Sequence, residues 1–219
     1  MTATQGQSIT NNQARAADSR VARGPEPRQD RAVRTRAHIL EAAASLFAER
    51  GAPATSMADV AVRVRMTKGA VYFHFPNKES LIVAVVEAHY ERWPVLLDEV
   101  RALGLGPMDT LEELLGRTAV LFRDDPVVQG GARLQMEQPV AEGILPEPYT
   151  GWIERLTAIL DQAQAAGELR PGIVPLEAAR ALVSAFFGTQ HITARLGHRA
   201  ELVDRWAQVR GLLFQALKA

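Results

Sequence analysis

The sequence predicts an all-α protein, with an N-terminal three-helix helix-turn-helix domain followed by a larger helical bundle. Three observations carry this prediction. From residue 34 onward, apolar side chains recur at spacings of three and four, the period of a helix with one buried face. No stretch alternates polar and apolar residues for long enough to predict a strand. The apolar segments are separated by capping residues, glycines and prolines at positions where helices begin and end. Of 219 residues, 47% are hydrophobic, enough for a substantial core.

Taken in order, residues 1–30 are small and polar, with the sequence GPEP at Gly24–Pro27. They read as a flexible basic arm carrying Arg15, Arg20, Arg23 and Arg28, with Arg31 just beyond. The first helix runs from Arg34 to Arg50, with Ile39, Leu40, Ala43, Leu46 and Phe47 on one face, and stops at Gly51. The second starts in TSMADVAVRV, where Ser56 and Asp59 have the spacing of a capping box. Met57, Val60 and either Ala61 or Val64 face inward. A tight turn at Arg63–Met66 leads to a third helix, TKGAVYFHF, which starts at Thr67 and ends before Pro76. Asn77 caps a long fourth helix to Val100, in which Pro94 is expected to introduce a kink. Leu81, Val85, Ala88 and either Trp93 or Leu96 form its buried side. Further helices follow at 107–122, 126–137, 149–165, 175–196 and 201–217, with a loop around Gly143, Pro146 and Pro148. The predicted domains are the arm (1–30), a reading head (31–77) and a body (78–219).

Composition narrows the function. The chain has no cysteine, hence no disulfide or thiolate chemistry, which fits a cytoplasmic location. No apolar run reaches membrane-spanning length and the first residues do not read as a secretory signal. Net charge is zero, but residues 1–78 carry 12 Lys+Arg against 6 Asp+Glu, and the remainder carries 13 against 19. A basic head on an acidic body suggests a polyanion-binding module. The five histidines are too scattered for a metal site, Asp124 and Asp125 read as helix-capping residues, and no glycine-rich nucleotide loop is present. The expected chemistry is therefore binding rather than catalysis, with no cofactor.

The second and third helices have the topology that places the latter in a DNA major groove. Val71 and Phe75, one turn apart, hold it against the first helix, and Phe73 also reads as core. Thr67, Lys68 and Gly69 lie at its N-terminus, where amides and the helix dipole favour phosphate. Thr55, Ser56, Tyr72, His74 and Lys78 are candidate phosphate contacts. Arg63, Arg65 and Lys68 are candidates for base edges. Packing alone could also account for Tyr72 and His74.

The segments ILEAAASLFAERG, TSMADVA and TKGAVYFHFPNKESL resemble the N-terminal domain of the TetR family of transcriptional repressors, over about residues 34–81. The resemblance implies DNA contacts from Thr67, Lys68, Gly69, Tyr72, His74 and Lys78, and a helical ligand-binding and dimerisation body. In the body, VVEAHYERWP, FRDDPVVQGGARLQ, PYTGWIERL, AGELRPG and SAFFGTQHI resemble the γ-butyrolactone receptor branch. That implies a repressor of antibiotic-biosynthesis or signal-synthesis genes, released by a γ-butyrolactone, butenolide or alkyl-furan acid.

The residues of the body suggest the same two roles. Tyr90, Trp93, Gln135, Tyr149, Trp152, Phe187, Gln190 and His191 would, if brought together, form an aromatic-walled pocket with polar handles. Each aromatic taken alone is equally consistent with core packing. A ligand carboxylate would want a positive partner, and spacing identifies none. Glu137 is the residue to watch if the ligand is instead a cationic drug. Leu182, Val183 and Phe186, with Leu202, Trp206, Val209 and Leu213, form two wide apolar faces suited to a homodimer. The expected partners are double-stranded operator DNA, a small hydrophobic signal and a second copy of the chain, with no membrane. The competing reading is a TetR-like repressor of another hydrophobic ligand, such as a drug, antibiotic or fatty-acyl compound.

Overall fold

The computed structural model describes residues 28–137 and 149–219. Nine α-helices occupy them: α1 (Arg28–Arg50), α2 (Met57–Arg63), α3 (Lys68–His74), α4 (Lys78–Arg101), α5 (Pro107–Asp124), α6 (Pro126–Glu137), α7 (Thr150–Ala165), α8 (Pro175–Arg195) and α9 (Leu202–Leu217). A single 3-10 turn at Arg199–Glu201 precedes α9. Among the described residues the only β pairing is one isolated bridge, Leu169 to Lys218. None of these helices is long and apolar enough to cross a membrane. The predicted arm to residue 27 and the loop around Gly143, Pro146 and Pro148 lie outside the described residues.

Most helix boundaries follow the local chemistry read from the sequence. Ser56 and Asp59 form a reciprocal capping box at α2, and Asn77 and Ser80 form one at α4. Thr67 caps α3 by accepting from the Ala70 amide at 3.2 Å. The first helix starts six residues earlier than predicted, at Arg28. Asp30 in the first turn complements the helix dipole. Residues 28–30, read as arm, are therefore helical. The turn between α2 and α3 bonds Met66 N to the Ala61 carbonyl at 2.9 Å and Arg65 N to the Val62 carbonyl at 3.1 Å. This is a Schellman closure. Its left-handed position, usually glycine, is taken by Arg65 at φ 55°.

Two hydrophobic cores result. The head core joins α1, α2 and α3 to the first turns of α4 through Ile39, Phe47, Val60, Val71, Phe75 and Val85. The body core joins α5, α7, α8 and α9 to the second half of α4. Helix α6 contributes to both, with Val127 and Leu134 in the head core and Val128 and Ala132 in the body core. It packs between α1 and α4 at a distance that only glycine allows. A Cβ on Gly130 would lie 2.5 Å from the Ala44 carbonyl oxygen, and one on Gly131 would lie 2.4 Å from His89 Cβ.

Burial disagrees with the sequence reading at three places. Phe73 is 82% exposed and not core. Ala88 is only half-buried. Five of the residues assigned to dimerisation, Leu182, Val183, Phe186, Leu202 and Trp206, are buried inside the protomer. Their apolar faces are covered intramolecularly: α8 packs on α7 and α9, and Trp206 Nε1 donates to the Leu115 carbonyl at 3.1 Å. Val209 and Leu213 are half-buried against the same core.

His89 sits at the centre of the α4–α6 contact, with Nδ1 3.1 Å from the Val128 carbonyl. A carbonyl cannot donate, so Nδ1 carries the proton of the neutral ring. Burial lowers its pKa from 6.5 to about 4. The folded value lies below the unfolded one. The stability this neutral histidine supports is thus fully present above pH 6.5 and is lost as pH falls from there toward about 4. An imidazole titration by NMR should place the His89 midpoint near 4, with a neutral ring at pH 6. Gly130→Ala should lower unfolding free energy by ~1–3 kcal/mol in a denaturant titration, because the steric shift exceeds alanine's helix-propensity gain of ~1 kcal/mol.

Candidate nucleic-acid interface and ligand pocket

Around α3 the chain presents a polar surface whose members come from three elements. Ser56, Tyr72 and Lys78 line one shallow depression together with Asn77. Tyr72 is 47% exposed, and Thr67, Lys68 and Gly69 are fully on the outside. A Cβ at Gly69 would meet nothing within 4 Å, so its smallness serves no packing need within the chain. His74 is half-buried and meets Phe73 edge-on at 5.2 Å. Phe73, missed by the sequence reading, stands out from the same helix. The signal was available: Val71 and Phe75 already occupy the inner face, and position 73 falls opposite them. Arg65 stands exposed on the turn that enters α3.

Two predicted contacts are engaged elsewhere. Thr55 is 3% exposed, and its hydroxyl donates to the Gly51 carbonyl at 2.8 Å. It ties the α1–α2 corner together and has no surface to offer a phosphate. Arg63 forms a two-pronged pair with Glu49 of α1, at 3.1 and 2.9 Å. That hydrogen bond holds the Glu49 carboxyl below its ordinary range, and the pair occupies the fork proposed for base edges.

In the body, the pocket residues divide into two groups. Tyr90 and Gln135 are hydrogen-bonded across α4 and α6. Burial raises the Tyr90 hydroxyl pKa, the Gln135 bond opposes this, and the nearby Tyr149 hydroxyl adds to it. Tyr149 adopts a left-handed backbone, φ 69°, at the start of α7, and its ring lies 4.5 Å from that of Phe187. Trp93 meets Trp152 at 4.9 Å and stacks on Phe122 at 5.8 Å, and Phe122 meets Phe187 at 5.7 Å. His89 and Phe122 complete this aromatic group, though neither was picked out from the sequence. Among the described residues, Trp93 Nε1 is the one buried side-chain polar atom with no hydrogen-bond partner.

Gln190 and His191 do not join that group. They line a separate cavity with Gln129, Arg133, Glu137, Arg195 and Arg199. Glu137, flagged as a cation partner, is instead bound by Arg133 at 2.5 Å and by the Ala52 amide at 3.1 Å. Among the described residues no three His, Asp or Glu side chains are grouped to hold a metal.

Thr55→Val should destabilise the fold by ~1–3 kcal/mol, by leaving buried carbonyls unsatisfied. It should leave the DNA affinity of the folded protein unchanged. Arg65→Gly should do the reverse, weakening DNA binding while thermal stability holds or rises, because glycine takes the left-handed position without strain. Denaturation and DNA titration on the same preparations check both.

Comparison with known proteins finds relatives over most of the chain. Residues 39–85 match the bacterial regulatory proteins of the tetR family. The A-factor receptor protein of Streptomyces griseus is 30% identical over 182 residues, 83% of this chain. The chain spans 63% of that receptor's own length. One solved structure, described as the molecular basis for control of antibiotic production by bacterial hormones, is 54% identical. It superposes with a TM-score of 0.77 over 85% of this chain and 99% of that one. A γ-butyrolactone receptor described as ArpA-like is 30% identical, with a TM-score of 0.66 over 82% and 99% of the two chains. CprB of Streptomyces coelicolor, a TetR family protein solved with its biological operator sequence, is 30% identical, with a TM-score of 0.78 over 86% and 90%. The matched relatives are transcriptional regulators, not enzymes. On its helix-turn-helix head, its helical body and this similarity over most of its length, the chain belongs to the TetR family.

Proposed function

We propose that this protein is a ligand-responsive repressor that binds a palindromic operator as a homodimer and releases it when a small γ-butyrolactone-, butenolide- or alkyl-furan-like signal enters the body. Antibiotic or secondary-metabolite genes are the proposed targets, and the cytoplasm the proposed location. The observation that carries the reading is that one helix serves both ends. Helix α4 begins at the reading surface with Asn77 and Lys78, and one to two turns beyond the head core it supplies Tyr90 and Trp93 to the aromatic group. The domain division follows: a head from 31 to 77 for DNA, and a body from 78 onward for ligand and partner.

On the DNA side the proposed contacts are Ser56, Arg65, Thr67, Lys68, Gly69, Tyr72, His74 and Lys78, with Phe73 added from its exposure. The tyrosine, serine and lysine groups position the head on phosphates, whereas Arg65, Lys68 and Phe73 are placed to meet base edges. On the ligand side, Tyr90, Gln135 and Tyr149 supply polar contacts for a lactone or acid head. The unsatisfied Trp93 indole N–H supplies a further buried donor, and Trp152, Phe122 and Phe187 surround the apolar part. Arginine is absent from this group, so tyrosine hydroxyls would have to receive a carboxylate.

The dimer would use what the protomer leaves outside. On α9, Leu212 is largely exposed and Val209 and Leu213 are half-exposed beside it. Two such faces pairing isologously would set two heads on one side of the duplex, about 34–36 Å apart. Ligand binding would shift α4 and change that spacing, with a coupling of ~1–3 kcal/mol.

The decisive experiment is DNA binding to the region upstream of the protein's own gene and neighbouring promoters, at fixed salt. It is run with and without a panel of γ-butyrolactones, butenolides and alkyl-furan acids. Release by one class supports the reading and names the ligand chemistry. Tight DNA binding that no compound relieves favours the drug or fatty-acyl alternative. Tyr90→Phe and Gln135→Ala should each raise the ligand concentration needed for release by roughly 5–30-fold, the effect of losing ~1–2 kcal/mol of hydrogen bonding. Ligand-free operator affinity should stay within about twofold.

A further inference from the structure

The cavity that takes Gln190 and His191 lies between the end of α1, the outer face of α6, the last turns of α8 and the 3-10 turn. Its volume is about 580 Å³. That is the size of a small-molecule site, yet its lining is the opposite of the aromatic group. Two carboxylates line it and both are engaged. Arg63 holds Glu49 at 2.9 Å, and Arg133 holds Glu137 at 2.5 Å. Two further guanidinium groups, Arg195 and Arg199, line the same space with no carboxylate within 4 Å among the described residues.

Arg199 is the telling member. It is half-buried, and Nη1 donates to the side-chain oxygen of Gln129, a neutral acceptor. Burial makes its charged form costlier, and the positive Arg133 nearby adds to that cost. An arginine keeps its proton under such pressure. The chain therefore holds Arg199 near a second guanidinium, partly out of water, and among the described residues no carboxylate pairs with Arg199 itself. A bound anion would remove that cost, and a guanidinium fork matches the paired oxygens of a carboxylate or phosphate. The Gln190 amide and the His191 ring lie on the same wall and can meet the polar remainder of such a molecule.

We infer that this cavity binds a small oxyanion, through a carboxylate or phosphate group held by Arg199 and Arg195. The site shares no residue with the Tyr90–Gln135–Tyr149 pocket and stands independently of the ligand proposed there. Its floor includes Ala48, whose carbonyl accepts from Arg133 at 3.0 Å, so the bound group would sit directly beside the seam between head and body.

The test is calorimetric titration of the full chain with inorganic phosphate and, separately, with citrate, at constant ionic strength balanced with chloride. The expected result is saturable binding of at least one of them. Arg199→Gln should weaken it about tenfold or more, as expected for loss of a charge-assisted pair. Arg195→Gln, at an exposed position, should weaken it as well, and Tyr90→Phe should leave it unchanged. Binding of citrate alone assigns the site to carboxylates, and binding of phosphate alone to phosphate groups. No saturable binding of either anion would overturn the proposal, as would binding that survives both arginine substitutions.

Discussion

The close seat of α6 on α1 and α4 is the constraint on which the rest of the structure depends. Two adjacent glycines, Gly130 and Gly131, let the α6 backbone approach the Ala44 carbonyl on one side and the His89 side chain on the other. Glycine inside a helix costs roughly 0.5–1 kcal/mol relative to alanine. Here that cost allows one short helix to insert into both cores at once. The contact is fastened at its far end by polar groups. Arg133 donates to the Ala48 carbonyl, and Glu137 accepts from the Ala52 amide just beyond the end of α1. The head is consequently not tethered by a linker. It is packed and hydrogen-bonded onto the same helix that presents Gln135 to the body.

This arrangement supports the proposed coupling between a pocket in the body and the DNA-reading surface. Helix α4 runs without interruption from its capping box at Asn77, past Pro94, to Arg101. Its first turns belong to the head core and its later ones to the body core, and Tyr90 packs against both. The Tyr90–Gln135 bond joins α4 to α6 at that boundary. The proposed ligand, seated against Tyr90 and Gln135, would touch the two helices that support the head. Close packing makes such a contact respond by shifting whole elements rather than by deforming continuously.

The parts of this design that were legible in the sequence are those set by neighbouring residues. Ser56 with Asp59, Thr67, Asn77, and the prolines at 107, 126 and 175 define helix starts through local backbone chemistry, and the structure follows them. What was misread depends on long-range partners. Thr55 looks like a surface hydroxyl until the α1–α2 corner closes over it. Arg63 looks available until Glu49, fourteen residues earlier, is brought beside it. Gln190 and His191 lie on the face of Phe187 but one turn further along α8, where the neighbours are α6 and the 3-10 turn with Arg199 instead of Trp93. The wide apolar faces of α8 and α9 were real, yet periodicity cannot say whether a face is covered by the same chain or by a second one. Gly130 and Gly131 gave no sign of their role, because a glycine pair in a helix reads as weakness until the backbone it touches is known.

The reading surface shows the converse logic. An exposed phenylalanine at 82%, an exposed Val62 at 78% and an arginine held in the left-handed region are each unfavourable for folding alone. They lie on α2, on α3 and on the turn between them. The residues beneath, Val60, Val71 and Phe75, are buried in the head core. Stability thus accounts for the inner face and leaves the outer one unexplained. Local features that cost stability without structural return collect where a surface is shaped for a partner. The proposed operator DNA would meet cations, hydroxyls and an apolar ring on one short helix. A major groove offers phosphate oxygens at its edges and base edges with thymine methyl groups on its floor, and it satisfies all three demands at once.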